Sequence, residues 1–326
     1  MISYFDAHCD TLYRCLETGE ISALEYGADR AEQLRYFAVC EHLRQNGAHL
    51  DLTRGKAFGR YAQVFALFHD AAEAPADGLW AQCSRLHDFF LRQMAENSDI
   101  IRHCCSGADI DSAIADGKIA ALLSIEGADL IDCDAEKIET AARWGVRFLN
   151  PVWNRANALS GTNLEDNTRG LSKQGREFVR ELYRHGIYPD VSHISDRGFW
   201  DLAELGEGPI IASHSNARTI CPHRRNLTDE QFCAIRDSGG VVGINLYVDF
   251  VGEPTMDALV AHVEHFLHLN GEKTICLGGD LDGCERLAAG MKGVQDVPKL
   301  YTALRDRGYS AELLEDIFWN NLRRMF

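Results

Sequence analysis

The sequence lacks the features that mark two large classes of protein. No stretch reaches the roughly 18 consecutive apolar residues of a membrane-spanning helix. Cationic side chains are scarce, because 33 Lys and Arg stand against 49 Asp and Glu and give a net charge of −16. Nucleic-acid phosphates and anionic membranes both attract clustered Lys and Arg. The composition therefore predicts no nucleic-acid partner and no membrane anchor.

The cysteines lack the spacing of a disulfide framework or a zinc ribbon. There are 11 of them, an odd number, and none belongs to a Cys-x-x-Cys pair. The first residues also contain no basic segment followed by a long apolar run, the pattern of a secretory signal. We therefore expect reduced, mostly buried thiols in a cytoplasmic protein.

Short apolar runs alternate with longer amphipathic segments along the chain. Eight runs are predicted to be strands: Ser3–His8, Tyr36–Glu41, Ile119–Glu126, Val146–Trp153, Ile187–His193, Pro209–His214, Gly240–Tyr247 and Thr274–Asp280. The segments with apolar residues at helical spacing are Gly55–His69, Trp80–Asn97, Ala135–Trp144, Lys173–His185, Asp196–Glu204, Asp229–Ser238 and Met256–Asn270. Eight strands that alternate with helices are typical of an α/β fold, the TIM-type (β/α)8 barrel.

The chain is longer than a minimal barrel of about 250 residues. One interval, between the second and third predicted strands, takes up about 75 of its residues. No linker rich in Pro, Gly or Ser brackets this interval. We therefore predict extra helices inserted between strands 2 and 3, within a single barrel domain that spans residues 1–326.

Residues with metal-binding side chains lie at the ends of several predicted strands. His8 ends the first run and Asp10 lies just after it, and Glu126, His193 and His214 end the third, fifth and sixth runs. Residues i and i+2 of a strand share a face, so His8 and Asp10 project together. The carboxyl ends of barrel strands meet at one mouth. These five residues are therefore able to hold two divalent ions about 3.5–4 Å apart, bridged by a carboxylate, with a hydroxide as nucleophile.

Each of these residues also has an ordinary structural interpretation. A buried histidine is more often a hydrogen-bonded core residue than a ligand, and Glu126 precedes a glycine, as residues near helix N-termini do. Asp280 and Asp282, in Gly-Gly-Asp-Leu-Asp-Gly, have the character of turn residues. The remaining histidines fall in helical or loop patterns and are predicted to lie mostly on the surface. Five candidate ligands at strand ends on one face favour the metal site, because the structural interpretation offers no reason for that coincidence.

In their order along the chain, these motifs resemble those of the membrane (renal) dipeptidase family of metallopeptidases, relatives of the amidohydrolase barrels. The resemblance runs from residue 2 to near the C-terminus. It depends on these segments: Asp6–Thr11, Ser124–Gly127, Asp190–Ser195, Ile211–Ala217 with Arg224–Leu227, and Gly278–Gly283. Each segment is common by itself, but the ordered set is specific.

The resemblance implies a metal centre with two Zn²⁺ per chain, although other divalent metals suit the same ligands. It assigns His8 and Asp10 to one ion and His193 and His214 to the other. Glu126 would bridge the two ions and take part in catalysis. These assignments follow from the resemblance and agree with the ligand preferences of zinc.

The resemblance also implies substrate contacts. Arg225 would bind the C-terminal carboxylate of the substrate, for which a guanidinium fork is well suited. Asp280, beside the nucleophile and the free amino group, would take a proton from water and pass it to the leaving amine. Well-known members have Leu-Thr-His in the fourth run, and here Trp153 takes the place of that histidine, which is thought to steady the carbonyl oxygen. Trp153 would act through its N–H or only pack at the mouth, and Asn154 is an alternative for the same role.

The sequence therefore predicts a zinc-dependent dipeptidase that cleaves free-ended dipeptides by means of a metal-bridging hydroxide. The resemblance further suggests tolerance of a D-residue at the C-terminal side. Two alternatives stay open: another amide or cyclic-amide hydrolase on the same di-metal barrel, and a non-catalytic binding protein that retains the barrel. The complete ligand set counts against the second alternative, because binding alone needs no hydroxide-generating site. A dipeptide is the expected partner, and a homodimer stays open.

Overall fold

A closed barrel of eight parallel strands forms the centre of the computed structural model, which describes residues 1–16 and 42–326. Its strands are ordered β6-β5-β4-β2-β1-β9-β8-β7, and β3 pairs with β4 outside this order. The bounds are β1 Ser3–Cys9, β2 Arg60–Phe68, β3 Ile101–His103, β4 Ile119–Glu126, β5 Val146–Leu149, β6 Tyr188–Pro189, β7 Ile211–Ala212, β8 Val241–Ile244 and β9 Ile275–Leu277. A parallel bridge between Asp190 and Ile211 joins β6 to β7 and closes the barrel. The predicted (β/α)8 architecture is confirmed.

Helices surround this barrel, as the alternating pattern of the sequence predicts. The α-helices are Thr11–Leu16, Leu52–Gly55, Leu79–Glu96, Gly107–Ala115, Ile138–Arg143, Lys173–Arg184, Asp196–Ala203, Asp229–Asp237, Val248–Val251, Met256–His268, Pro298–Asp306, Ala311–Glu315 and Asn321–Arg323. A π-helical turn, Asp316–Asn320, joins the last two. Within the described part of the chain, none of the helices is both long and apolar enough to cross a membrane.

The second barrel strand differs from its prediction. The run Tyr36–Glu41, expected to be this strand, lies outside the described residues. Gly55–His69, expected to be a helix, is mostly strand β2, so that prediction is wrong. The apolar residues of this segment satisfy helical spacing, but β2 is buried on both faces between β1 and β4, and such strands are apolar throughout. The extra helices Leu79–Glu96 and Gly107–Ala115 lie between β2 and β4, hence between the second and third barrel strands, as predicted.

The barrel has long strands on one side and short strands on the other. β1, β2 and β4 have seven to nine residues, whereas β5 to β9 have two to four. β2 and β4 pair at seven successive positions, whereas the ladder between β1 and β9 has one pair, at Asp6 and Leu277. The Asp6 carboxylate adds a contact there, because it accepts a hydrogen bond from Gly279 N at 3.0 Å. Polar side chains thus supplement the backbone ladder where the strands are short.

Aromatic side chains fill the interior of the barrel. The Phe5 ring lies 5.4 Å from the Trp319 ring and 5.5 Å from the Phe326 ring. Phe148, on β5, lies 5.3 Å from Phe326. The interior is therefore a packed core rather than a pore, and function is confined to the mouth.

Candidate metal centre

The carboxyl ends of the strands bring the predicted ligands together at the mouth. His8 Nε2 lies 3.2 Å from Asp10 Oδ2 and 3.6 Å from Glu126 Oε2. The other oxygen of Glu126, Oε1, lies 2.8 Å from His193 Nε2 and 3.5 Å from His214 Nε2. The two oxygens of Glu126 thus face different histidines, as expected of a carboxylate that bridges two ions.

Two triads of buried side chains have ligand atoms within 4.8 Å of one another. One triad contains His8, Glu126 and His214, and the other contains His8, Asp10 and Asp280. His193 is in neither, although its Nε2 atom lies 3.0 Å from that of His214. All five predicted ligands are therefore brought together, and Asp280 joins them.

Hydrogen bonds at the Nδ1 atoms fix the orientation of the imidazoles of His193 and His214. His193 Nδ1 lies 3.0 Å from Asn154 Oδ1, and His214 Nδ1 lies 2.7 Å from Ser213 Oγ. An amide oxygen only accepts hydrogen bonds, so His193 carries its proton on Nδ1 and presents a lone pair at Nε2. Such support of the distal nitrogen is characteristic of histidines that bind metals.

The electrostatics of the cluster fit a bound cation. Burial raises the pKa of Glu126 well above its usual value, and burial lowers the pKa values of His193 and His214 well below theirs. Burial opposes the charged form of His8, but the carboxylates of Glu126 and Asp10 outweigh it and raise the pKa of His8 to about 10. Asp10 Oδ1 is buried and has no hydrogen-bond partner among residues 1–16 and 42–326. The neutral imidazoles of His193 and His214, the crowded carboxylates and an unsatisfied oxygen form a donor set that suits a divalent metal.

Asp280 is held against this cluster by a neighbour that the sequence analysis missed. Its Oδ1 atom lies 4.0 Å from His8 Nε2, and its Oδ2 atom accepts a hydrogen bond from Asn245 Nδ2 at 3.0 Å. A Cβ atom on Gly283 would lie 2.2 Å from Asp280 Oδ1 and from Asp10 Oδ2, so only glycine fits there. Asn245 follows the apolar run of β8, and a polar residue at a strand end is the signal that would have identified it.

Arg225 is buried at the mouth and is not a surface residue. It is 4% exposed, and its Nη2 atom lies 3.1 Å from His193 Nε2. Its guanidinium carbon lies 5.2 Å from the centre of the Phe250 ring. Burial lowers the pKa of Arg225 to about 10, and Nη1 is buried with no hydrogen-bond partner in the described part of the chain. A buried guanidinium with an unsatisfied donor suits an anionic ligand, whereas Arg224 binds the Leu164 carbonyl oxygen.

Trp153 lies at the same mouth, in a cleft beside Glu126. Its ring is half-buried, and its centre lies 4.8 Å from that of Phe68 and 6.3 Å from that of His193. His69, Asp70, Ala71, Gly127, Asp129 and Arg155 form the rest of the cleft. Asn154 lies behind His193, so its amide oxygen is directed at a candidate ligand.

Several other histidines are buried, contrary to their prediction as surface residues. His49, His69 and His87 are 5–9% exposed, and His262 is 0% exposed. His262 Nδ1 accepts a hydrogen bond from Ala217 N at 3.1 Å, and its Nε2 atom lies 3.1 Å from Val251 O. His262 therefore connects the segment after β7 to the segment after β8.

Comparisons with known proteins agree with this geometry. The family model for membrane dipeptidases, peptidase family M19, matches residues 1–326. An uncharacterized protein of the pqqA 5′ region in Klebsiella pneumoniae is 34% identical over 264 residues, which are 77% of this chain and 96% of that protein. The crystal structure of the dipeptidase AC, a metallo peptidase of family M19, superposes on this chain with a TM-score of 0.85. The two chains are 27% identical, and the superposition covers 99% of this chain and 97% of that chain. A metallo peptidase from Rhodobacter sphaeroides, solved with a phosphinate mimic of the dipeptide L-Ala-D-Ala, has a TM-score of 0.83 at 26% identity, with 99% and 98% covered.

Proposed function

The chain belongs to the membrane dipeptidase family, peptidase family M19, and is a metallo-dipeptidase; from this premise we propose that it uses two Zn²⁺ to cleave free-ended dipeptides. The observation that carries the proposal is the position of Glu126, whose two oxygens face His8 on one side and His193 with His214 on the other. His8 and Asp10 would hold one ion, and His193 and His214 the other. When bound, such a pair supplies an activated water as the nucleophile and polarises the scissile carbonyl.

The charged residues at the mouth would orient the dipeptide. Arg225 Nη1, which has no hydrogen-bond partner among the described residues, would bind the C-terminal carboxylate. Asp280 Oδ1 would accept a hydrogen bond from the free ammonium group and would take the proton of the attacking water. Oδ1 is the oxygen available for both, because Oδ2 already accepts a hydrogen bond from Asn245. The same atom would then deliver that proton to the leaving amine. A dipeptide satisfies both charged residues at once, whereas a longer peptide places its second charge out of reach.

The side chain of the N-terminal residue would enter the cleft beside Trp153. In the order of the strands, β2 lies across the barrel from β7, so this cleft lies opposite the segment that carries Arg225. A dipeptide anchored at Arg225 therefore extends toward the cleft. Trp153 would cover this side chain and take over part of the space of the family's histidine. The Rhodobacter sphaeroides neighbour was solved with a mimic of L-Ala-D-Ala, which supports our proposal that a C-terminal D-residue is accepted.

The test is a hydrolysis assay on purified, zinc-loaded protein. The substrates are dipeptides with L- or D-residues at the C-terminus, together with their N-acetylated and C-amidated forms. We expect much faster hydrolysis of the free-ended dipeptides than of the blocked forms, about two zinc ions per chain, and loss of activity with a chelator that zinc restores. Equal hydrolysis of the blocked forms would favour another amide hydrolase. Metal-loaded protein that cleaves no amide would favour a binding protein.

We also propose a cytoplasmic location and a single domain over residues 1–326. Ten cysteines lie in the described part of the chain, and all of them are free thiols, which supports a reducing compartment. Fractionation of cells and limited proteolysis of the purified protein test these two proposals.

A further inference from the structure

The barrel closes at a short backbone pairing, directly behind two of the candidate ligands. β6 and β7 have two residues each, and the bridge between Asp190 and Ile211 connects them. Val191 N donates to Ile211 O at 2.7 Å across this closure. Elsewhere β2 and β4 pair at seven successive positions. The strand ends that carry His193 and His214 therefore need support beyond the ladder.

The carboxylate of Asp190 supplies that support. This side chain is 1% exposed, and its Oδ1 atom accepts hydrogen bonds from Ser192 N at 3.0 Å and from Ser213 N at 3.1 Å. Ser192 Oγ donates to the same oxygen at 2.9 Å and accepts from His214 N at 3.1 Å. One buried carboxylate thus connects the segment after β6 to the segment after β7. We call Asp190, Ser192 and Ser213 the closure network.

The closure network leads directly to both imidazoles. His193 follows Ser192 in the chain, and His214 follows Ser213, whose hydroxyl oxygen lies 2.7 Å from His214 Nδ1. We propose that Asp190 is a positioning residue that sets the distance between His193 and His214, so that metal binding by this pair depends on the closure network. By linkage, a metal bound to the pair stabilises the closure of the barrel. The inference rests on the proposed metal pair but not on the identity of the substrate.

The test compares metal content and amide exchange in Asp190→Asn with those in the wild type. Asparagine keeps the size of the side chain but removes its charge and exchanges one acceptor oxygen for a donor. We expect one of two zinc ions to bind about 10–100-fold more weakly, because loss of a side chain that holds a ligand typically weakens metal binding by that factor. The other ion should bind as before. The amides of Ser192, Ser213 and His214 should exchange faster with solvent, while those of β1 and β2 stay unchanged.

Asp201→Asn is the matched control. Asp201 is also a buried carboxylate, 3% exposed, and its partners are Leu171 N at 2.9 Å and the guanidinium groups of Arg176 and Arg197, none of them a candidate ligand. This variant should lower the unfolding midpoint and leave both zinc affinities unchanged. If Asp190→Asn fails to fold, Ser213→Ala decides, because it removes only the hydroxyl next to His214 and should weaken the same ion.

The outcomes separate this inference from the proposed function. Two ions bound with wild-type affinity in the Asp190 and Ser213 variants would overturn the inference alone, as would equal weakening of both ions or the same effect in Asp201→Asn. A wild-type protein that binds two ions but cleaves no dipeptide would overturn the proposed function alone. Selective loss of one ion with faster exchange at the closure supports the inference in either case.

Discussion

The two sides of the barrel hold their functional residues by different means. On the long-strand side, His8 lies within β1 and Glu126 is the last residue of β4, so the ladder of backbone hydrogen bonds places them. On the short-strand side, His193, His214 and Asp280 lie two or more residues beyond strands of only two or three residues. Asn154, Ser213 and Asn245 hold these three side chains instead. One side is positioned by the backbone and the other by side chains.

This difference predicts where substitutions act. On the long-strand side, a change matters when it removes a ligand itself. On the short-strand side, a substitution of a residue that contacts a ligand also matters, because that supporting side chain fixes the position of the ligand. The following variants are ordered by the size of the effect that we expect.

Removal of the shared carboxylate should have the largest effect, because both sides of the barrel converge on it. Glu126→Gln keeps the shape of the side chain but loses the charge between His8 and His193. We expect weaker binding of both ions and a fall in kcat/KM of about a thousandfold or more, or roughly 4 kcal/mol. Metal analysis and dipeptide kinetics measure it, with Glu177→Gln on the surface of helix Lys173–Arg184 as the control. Retention of two ions and of activity would contradict the bridging role.

Arg225→Met should have the next largest effect and tests the short-strand side alone. We expect kcat/KM on free dipeptides to fall by the equivalent of about 2–4 kcal/mol of transition-state stabilisation, because the substrate carboxylate loses its buried partner. The loss should be small on C-amidated substrates, and zinc content should stay the same. The neighbouring variant Arg224→Met is the control, because Arg224 binds a backbone carbonyl away from the ligands. Equal losses on both kinds of substrate would rule out carboxylate recognition.

His262 should make the stability of the short-strand side depend on pH. Burial lowers the pKa of His262 to about 4, whereas an unfolded histidine titrates near 6.5. As the pH falls from about 6.5 to about 4, the unfolded chain takes up the proton first, so the free energy of unfolding decreases. We expect His262→Gln to flatten this decrease by about 2 kcal/mol.

Denaturant unfolding of chelated protein at several pH values measures this effect. Because the chelator removes metal from both proteins, the candidate ligands titrate alike in the wild type and in His262→Gln. The exposed His268 provides the control variant His268→Gln, which should keep the wild-type slope. A slope that His262→Gln leaves unchanged would show that His262 titrates normally in the folded protein.

Trp153→Ala should have the smallest of these effects, because Trp153 joins the two sides without holding a candidate ligand directly. Its ring packs on Phe68 at the end of β2, while its backbone follows β5. We expect kcat to fall about tenfold, or 1.4 kcal/mol, with zinc content intact and with less discrimination among N-terminal side chains. Kinetics on several dipeptides are compared with the unfolding midpoint, and Trp153→Phe serves as the conservative control. A lower midpoint with normal turnover would identify Trp153 as a packing residue only.

On the long-strand side, the sequence predicts one strand with its observed bounds and mistakes another strand for a helix. Ile119–Glu126 has its predicted bounds, because a continuous apolar run between a glycine-containing turn and Gly127 leaves little choice. Arg60–Phe68 was assigned to a helix, because periodicity alone does not distinguish a fully buried strand from a buried helix. That ambiguity is resolved only by the neighbours β1 and β4, which a single sequence does not reveal.

On the short-strand side, the predicted strands were too long. Ile187–His193 contains a strand of two residues, because the Asp190 carboxylate takes up the amides that a ladder would otherwise use. The candidate ligands were identifiable because each ends an apolar run. Their supports, Asn245 and Asp190, also lie at strand ends, but the sequence does not show which ligand each one holds, because a hydrogen bond between distant segments leaves no spacing in the sequence. Local pattern thus identifies the candidate ligands, and only the fold identifies what holds them.

The hydrogen bond between Asp6 and Gly279 bears on the order in which the protein folds. It joins residues 273 positions apart, whereas His193 and His214 are only 21 positions apart. Loop-closure entropy grows with the logarithm of chain length, so bringing the distant pair together costs about 2 kcal/mol more. We expect the nascent chain to form the His193 and His214 pair within a local fragment, and the contact between Asp6 and Gly279 to form later.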